Sequence, residues 1–139
     1  MAEVVVNYLA VLLCGILAMG LGMIWYSPAI FGNSWMRLSG KSKEDMKKVA
    51  KEGMTWRYVL AFIAALLTAY ILSHFIDYLA VTTLGGGLQA GFWLWLGFIA
   101  PTMLGMVLWD NKSWKLYWII SGYHLVSLLL QGMIIAVWQ

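Results

Sequence analysis

The side chains in this sequence that could move a proton or hold a polar solute are few and widely spaced. His74 and Asp77 lie three residues apart, so on a helix they share a face, with Tyr70 one turn below. An imidazole beside a carboxylate can respond to protons or cations, or it can simply cap a bundle where water reaches it. His124 stands alone in an apolar run, with Pro101 at a similar depth on the preceding run. A proline frees the carbonyl four residues back, here that of Gly97, which a histidine N–H or a water could satisfy. The pair therefore reads either as a structural hydrogen bond across one hairpin or as a polar step in a permeation path. Asn7 and Gln131 are further polar candidates within apolar stretches, where each is costly unless paired.

Much other chemistry is excluded. Cys14 is the only cysteine, so an intramolecular disulfide or a thiolate metal cage is ruled out. It reads as a small core residue, and the residues before it do not form a lipoprotein signal; the first apolar run is expected to be retained. There is no HExxH, no GxSxG, no phosphate-binding glycine loop with its lysine, and no carboxylate cluster at metal-ligand spacing. The reading is of a protein that is not an enzyme and carries no cofactor or metal. A net charge of +3 is too small and too clustered for nucleic acid.

The elements that must position these residues follow from composition. Of 139 residues, 63% are hydrophobic and only 11% charged, far below the ~25% charged of an ordinary soluble domain. Four apolar runs, Val4–Trp25, Tyr58–Leu79, Leu88–Trp109 and Leu116–Trp138, each suffice as a helix to cross a ~30 Å hydrocarbon core. The expectation is a single domain over 1–139: an all-α, four-helix transmembrane bundle of two antiparallel hairpins. Counting ~1.5 Å per residue places Asn7, His74, Asp77 and Gln131 together in an outer ring and His124 near the midplane.

All nine Lys and Arg flank either the long connection at 27–56 or the short one at 110–115. The positive-inside rule then predicts a cell-membrane protein with both termini outside and the 27–56 loop cytoplasmic. Within that loop, Ser42-Lys43-Glu44-Asp45 reads as the capped start of a short amphipathic helix suited to anionic lipid headgroups. Gly85-Gly86-Gly87 reads as a turn. The nine tryptophans read mostly as interfacial anchors. Small residues recur every fourth position, at Ala10, Cys14, Ala18 and Gly22 and again at Ala61, Ala65 and Ala69, as helix-packing seams do in lipid.

A motif joins the first run to the loop: Trp25, Tyr26, Ser27 and Pro28, then Phe31, Gly32 and Trp35. Pro28 stops the helix, Gly32 permits a tight turn, and 30–38 can fold back as an interfacial element. With GFWLWLGFIAPTMLG at 91–105, Trp109 and the Gly122-Tyr123 pair, the motif resembles the bacterial domain-of-unknown-function family seventeen sixty-one. That resemblance implies a small multi-spanning membrane protein and no particular activity. A faint echo of Gly22-Met23…Trp25 in Gly105-Met106…Trp109 suggests a parallel repeat of two hairpins.

Two functions compete. One is a transport or channel component working as a homo-oligomer, its path running between subunits or between hairpins. The other is a membrane scaffold or accessory subunit that presents helix faces and the basic loop to a partner.

Overall fold

Asn7 opens the first helix by accepting hydrogen bonds from the backbone N–H groups of Leu9 and Ala10, at 3.0 and 3.2 Å. These are two of the donors that every helix start leaves unmet. The structure, a computed structural model, describes residues 3–139. Helix α1 spans Tyr8–Trp25, α2 Gly32–Leu38, α3 Lys43–Lys51 and α4 Thr55–Tyr78. The broken helix α5 covers Leu84–Leu108, and α6 covers Trp114–Val137. Four of these, α1, α4, α5 and α6, are long and apolar enough to cross a bilayer, and no strand forms among the described residues.

Capping chemistry sets the boundaries and corrects several expected from composition. The run begun at Val4 becomes helical only at Tyr8, after its Asn7 cap. Helix α4 starts at Thr55, three residues earlier than hydropathy indicates. The Gly85-Gly86-Gly87 triplet is not a turn: it lies in the first turn of α5, where Thr83 Oγ1 accepts from Gly86 N–H at 3.1 Å. The turn proper is closed by Ala80, whose backbone takes the left-handed conformation at φ 51° while Val81 N–H bonds back to Ile76 O.

Helix α6 is the hub. Its apolar window is 44% buried, against 17–28% for the other three spans. The closest approach is between α5 and α6, antiparallel and backbone to backbone. A Cβ on Gly87 or on Gly132 would overlap the other's carbonyl oxygen, and one on Gly91 would overlap the carbonyl oxygen of Leu128. Side chains could not fit there, so glycine is required for contact and not for flexibility. Helix α1 packs on α6 through its small stripe: Ala10, Cys14 and Ala18 are at most 3% exposed, and Gly22 faces the Tyr123 ring. It also packs antiparallel on α4, with Gly15 set against Leu66 and Phe62.

The α4 stripe behaves differently from the expected seam. Ala69 is fully buried, but Ala61 is exposed and Ala65 only half-buried. Helices α4 and α5, although joined by a short turn, share little direct packing, and a groove of about 360 Å³ lies between them. The glycine face of α5 is turned to α6, while Leu94 and Phe98 line the groove opposite Leu67 and Ile71.

Pro101 interrupts α5, and the helix widens just before it. Trp95–Ile99 forms a π turn in which Ala100 N–H reaches Trp95 O. Thr102 Oγ1 donates to Phe98 O at 2.6 Å, adding a side-chain bond one turn back beside the proline. Two ties hold this region to α6: Trp95 Nε1–H donates to Ser121 O at 2.8 Å, and Tyr117 O–H to Ala100 O at 2.9 Å. Trp95 is therefore a core residue, 6% exposed, and not an interfacial anchor.

Candidate functional site

Polar residues recur along one stretch of α6 at Tyr123, His124, Ser127 and Gln131, spacings of one, three and four that keep them near one another on the helix. They form one side of a cleft of about 360 Å³ between α1, α4 and α6. The opposite walls are small, from Ala18 on α1 and Ala61, Ala64 and Ala65 on α4. Ile99, from the π turn of α5, reaches the same space. The cleft is left where the alanines of α4 face Ala18, and the larger side chains around it, Met19 of α1 among them, line the space without filling it.

The polar groups of the cleft differ in how well they are satisfied. Tyr123 O–H donates to Ala18 O at 2.8 Å, fastening α6 to α1. Gln131 is 1% exposed; its Nε2 donates to Ser127 Oγ at 2.7 Å, and its Oε1 has no partner. An acceptor buried without a donor costs ~1–3 kcal/mol. His124 is half-buried, its ring 5.1 Å from that of Tyr123, and neither ring nitrogen bonds to protein among the described residues. No Lys, Arg, Asp or Glu lines the cleft. It is a polar but uncharged site with one titratable imidazole and one unmet amide oxygen, able to hold a neutral hydrogen-bonding solute.

Two further spaces adjoin it. Ala18, Met19, Ala61 and Tyr123 also line a cleft of about 460 Å³ that continues toward Tyr26 and Tyr58, at the end where the basic residues gather. Thr68, Ile99 and Leu128 are shared with the apolar groove between α4 and α5.

This arrangement rearranges the expected site residues. Gln131 lies on the face of His124, two turns along α6, and is level with Cys14, whose Sγ lies 3.9 Å from its backbone oxygen, rather than with Asn7. Asn7 is occupied as the α1 cap. His74 Nδ1 is 2.9 Å from Tyr70 O and its ring meets the Tyr70 ring edge-on at 4.5 Å. No ion pair joins His74 to Asp77 among the described residues, where the one salt bridge is Arg57–Glu52 at 3.0 Å. His124 and Pro101 do not meet: Pro101 is exposed, and the break it causes is tied down by Tyr117, Trp95 and Thr102 instead. Ser127, Thr68 and Ile99 join the site without having stood out in the sequence. The polar spacing on α6 was the signal for Ser127; the other two have none, since they depend on how α4 and α5 diverge.

The motif at the end of α1 folds into a compact hook. Trp25 Nε1–H donates to Ile119 O at 2.9 Å, and its ring lies against Gly122 and, at 4.9 Å, Phe31. Phe31 N–H returns to Trp25 O at 3.1 Å and Gly32 N–H to Ser27 O at 2.9 Å. A Cβ on Gly32 would overlap the Tyr26 carbonyl oxygen. Ser27 Oγ donates to Ile24 O at 2.7 Å, and Tyr26 packs between Trp35 and Tyr123, at 6.0 and 5.7 Å. Trp25 thus clamps the hook to α6. Beyond it, α3 begins with a reciprocal cap: Asp45 N–H donates to Ser42 Oγ at 3.1 Å and Ser42 N–H to Asp45 Oδ2 at 2.9 Å. These bonds, from the Ser42 backbone first and its hydroxyl second, hold the Asp45 carboxyl below its ordinary value. No residue of α3 is buried, and no group of three or more His, Cys, Asp or Glu able to hold a metal occurs among the described residues.

Four apolar spans, a hub helix and an uncharged internal cleft define a small multi-pass membrane protein. Its sequence matches the model of the protein family of unknown function DUF1761 over residues 9–136, and the chain belongs to that family. No curated protein and no solved structure matches it.

Proposed function

We propose that the protein is a transport component of the cell membrane, assembled from several copies, in which each chain carries its own solute path. The observation that supports this most is the adjoining series of spaces: the groove between α4 and α5, the His124–Gln131 cleft, and the cleft leading to Tyr26 and Tyr58. Neighbouring members of the series share lining residues, Thr68, Ile99 and Leu128 at one junction and Ala18, Met19, Ala61 and Tyr123 at the other, so only side chains stand between one space and the next. The path lies between hairpins and within one chain. In this reading the basic end faces the cytoplasm, as the positive-inside rule requires, and the free lysines of α3 meet anionic headgroups. Chemistry on the solute forms no part of the reading: Ser127 Oγ is engaged by Gln131 Nε2 at 2.7 Å and makes no hydrogen bond with His124, so no nucleophile–base pair is assembled in the cleft.

The test is flux of small uncharged solutes into proteoliposomes, with the Ala65→Phe variant as a plug. Filling the alanine wall should reduce uptake at least tenfold while leaving the protein folded, and His124→Ala should reduce it less. Uptake indifferent to both substitutions, or none for any solute in a folded preparation, would overturn the proposal. The scaffold reading has one observation in its favour: no residue of α3 is buried, and all its lysines are exposed. A partner recovered by crosslinking through Lys47 and lost on removing the α3 lysines would support it.

A further inference from the structure

The uncharged cleft and the apolar groove adjoin at Thr68, Ile99 and Leu128, one residue from each of three helices. We infer that together they bind a neutral single-chain amphiphile bearing a hydroxyl, its chain in the groove between α4 and α5 and its hydroxyl in the cleft with His124 and Gln131. This deepens the transport reading by naming a substrate class, and rests on it only for movement of the ligand, not for binding.

The head group follows from what the cleft lacks as well as what it holds. No cation lines it, so a carboxylate or phosphate would be buried unpaired; no carboxylate lines it, so neither would a quaternary ammonium be balanced. What remains unmet is neutral: the amide oxygen of Gln131 and the ring nitrogens of His124. If the Gln131 amide is turned over, its Oε1 accepts from Ser127 and its Nε2 becomes the unmet atom. A hydroxyl, which both donates and accepts, answers either orientation, and it matches an imidazole that has one donor and one acceptor.

The tail follows from the groove. Leu67, Ile71, Leu72, Phe75, Leu94 and Phe98 line it, and its one polar side chain, Thr68, donates its hydroxyl to Ala64 O at 2.9 Å. Water would find no partner along it. The groove and the cleft, about 360 Å³ each, are large enough for a chain segment and a small head.

The experiment uses the full chain in nanodiscs of zwitterionic lipid and three photoreactive probes of equal length: a long-chain alcohol, the corresponding fatty acid and the hydrocarbon. The alcohol should label groove peptides containing Leu67, Ile71 or Phe98 about three- to tenfold more than the hydrocarbon, the worth of one net hydrogen bond. The fatty acid should label no better than the hydrocarbon. Gln131→Leu and His124→Leu should each lower the alcohol toward the hydrocarbon level; should Gln131→Leu fail to fold, His124→Leu decides. Equal labelling by alcohol and hydrocarbon in the wild type would mean a groove filled by any lipid tail over a cleft filled by water, and would overturn the inference. So would a preference for the acid, or an alcohol preference untouched by the folded variants. Preference without flux would leave this site standing and remove the transport reading; flux without preference would do the reverse.

Discussion

The α5–α6 seam and the cleft between α1, α4 and α6 are both built from small residues, with opposite results. At the seam, Gly87 and Gly91 face the backbone of Gly132 and Leu128, and the helices touch with no room for a methyl group. At the cleft, Ala61, Ala64 and Ala65 lie across from Ala18 and the polar edge of α6, and a space of about 360 Å³ is left. Small residues in lipid permit close approach but do not compel it. Which outcome follows is decided by the larger neighbours. Around the seam nothing props the helices apart, whereas at the cleft Tyr123 spans to Ala18 and holds α6 at a ring's length from the α1 backbone.

Substitutions at the two places should therefore differ in sign as well as size. Gly87→Val forces a branched side chain into the Gly132 carbonyl and should destabilise the protein by ~3 kcal/mol, the upper range for overpacking; reversible unfolding in mixed micelles would measure it. Trp95→Phe keeps most of the ring but removes the N–H that bonds Ser121 O, and should cost ~1 kcal/mol in the same assay. Ala65→Val adds methyl groups where there is space and should be neutral or stabilising by ~0.5 kcal/mol. A loss as large as that of Gly87→Val would erase the distinction between seam and cleft.

The smallest effect is expected at α3, which belongs to neither region. The Asp45 carboxyl is held below its ordinary value of 3.8, so its contribution to the α3 cap is complete above that value and is lost as pH falls through the lower, folded one. Hydrogen exchange should show α3 fraying as pH drops below about 4 while the α5–α6 seam keeps its protection. Asp45→Asn should show no such pH dependence in α3.

Much of the fold was legible because lipid leaves the backbone few choices. Four apolar runs became four spans, and the Ser42–Asp45 cap and the Trp25–Trp35 hook lie where local chemistry places them. What could not be read was relative: how far each helix is shifted along its neighbours, and which face turns toward which. Axial counting put Gln131 with Asn7 and His74, but α6 begins beyond the end of α1, with Trp25 opposite Ile119, so Gln131 comes level with Cys14 and is buried on the face of His124. Pro101 and His124 share neither a depth nor a face: the antiparallel register of α5 and α6 sets Pro101 beside Tyr117, while His124 lies nearer the level of Trp95. Glycines 85–87 carry the same composition whether they make a turn or a contact, and only the Gly132 backbone opposite Gly87 distinguishes the two. Trp95 likewise looks like any interfacial indole until Ser121 O is found within reach.

The helix on which α1, α4 and α5 all converge, α6, is the last of the four spans in chain order and so the last of them to leave the ribosome. Until it arrives, the earlier spans have little to assemble around: α1 and α4 can pair, but the glycine face of α5 has only lipid to meet. Gln131, a buried amide poorly suited to hydrocarbon, is made only after Cys14 and its neighbours on α1 are available to cover it. The order of synthesis thus shortens the time that the most lipid-averse group spends without its protein shelter.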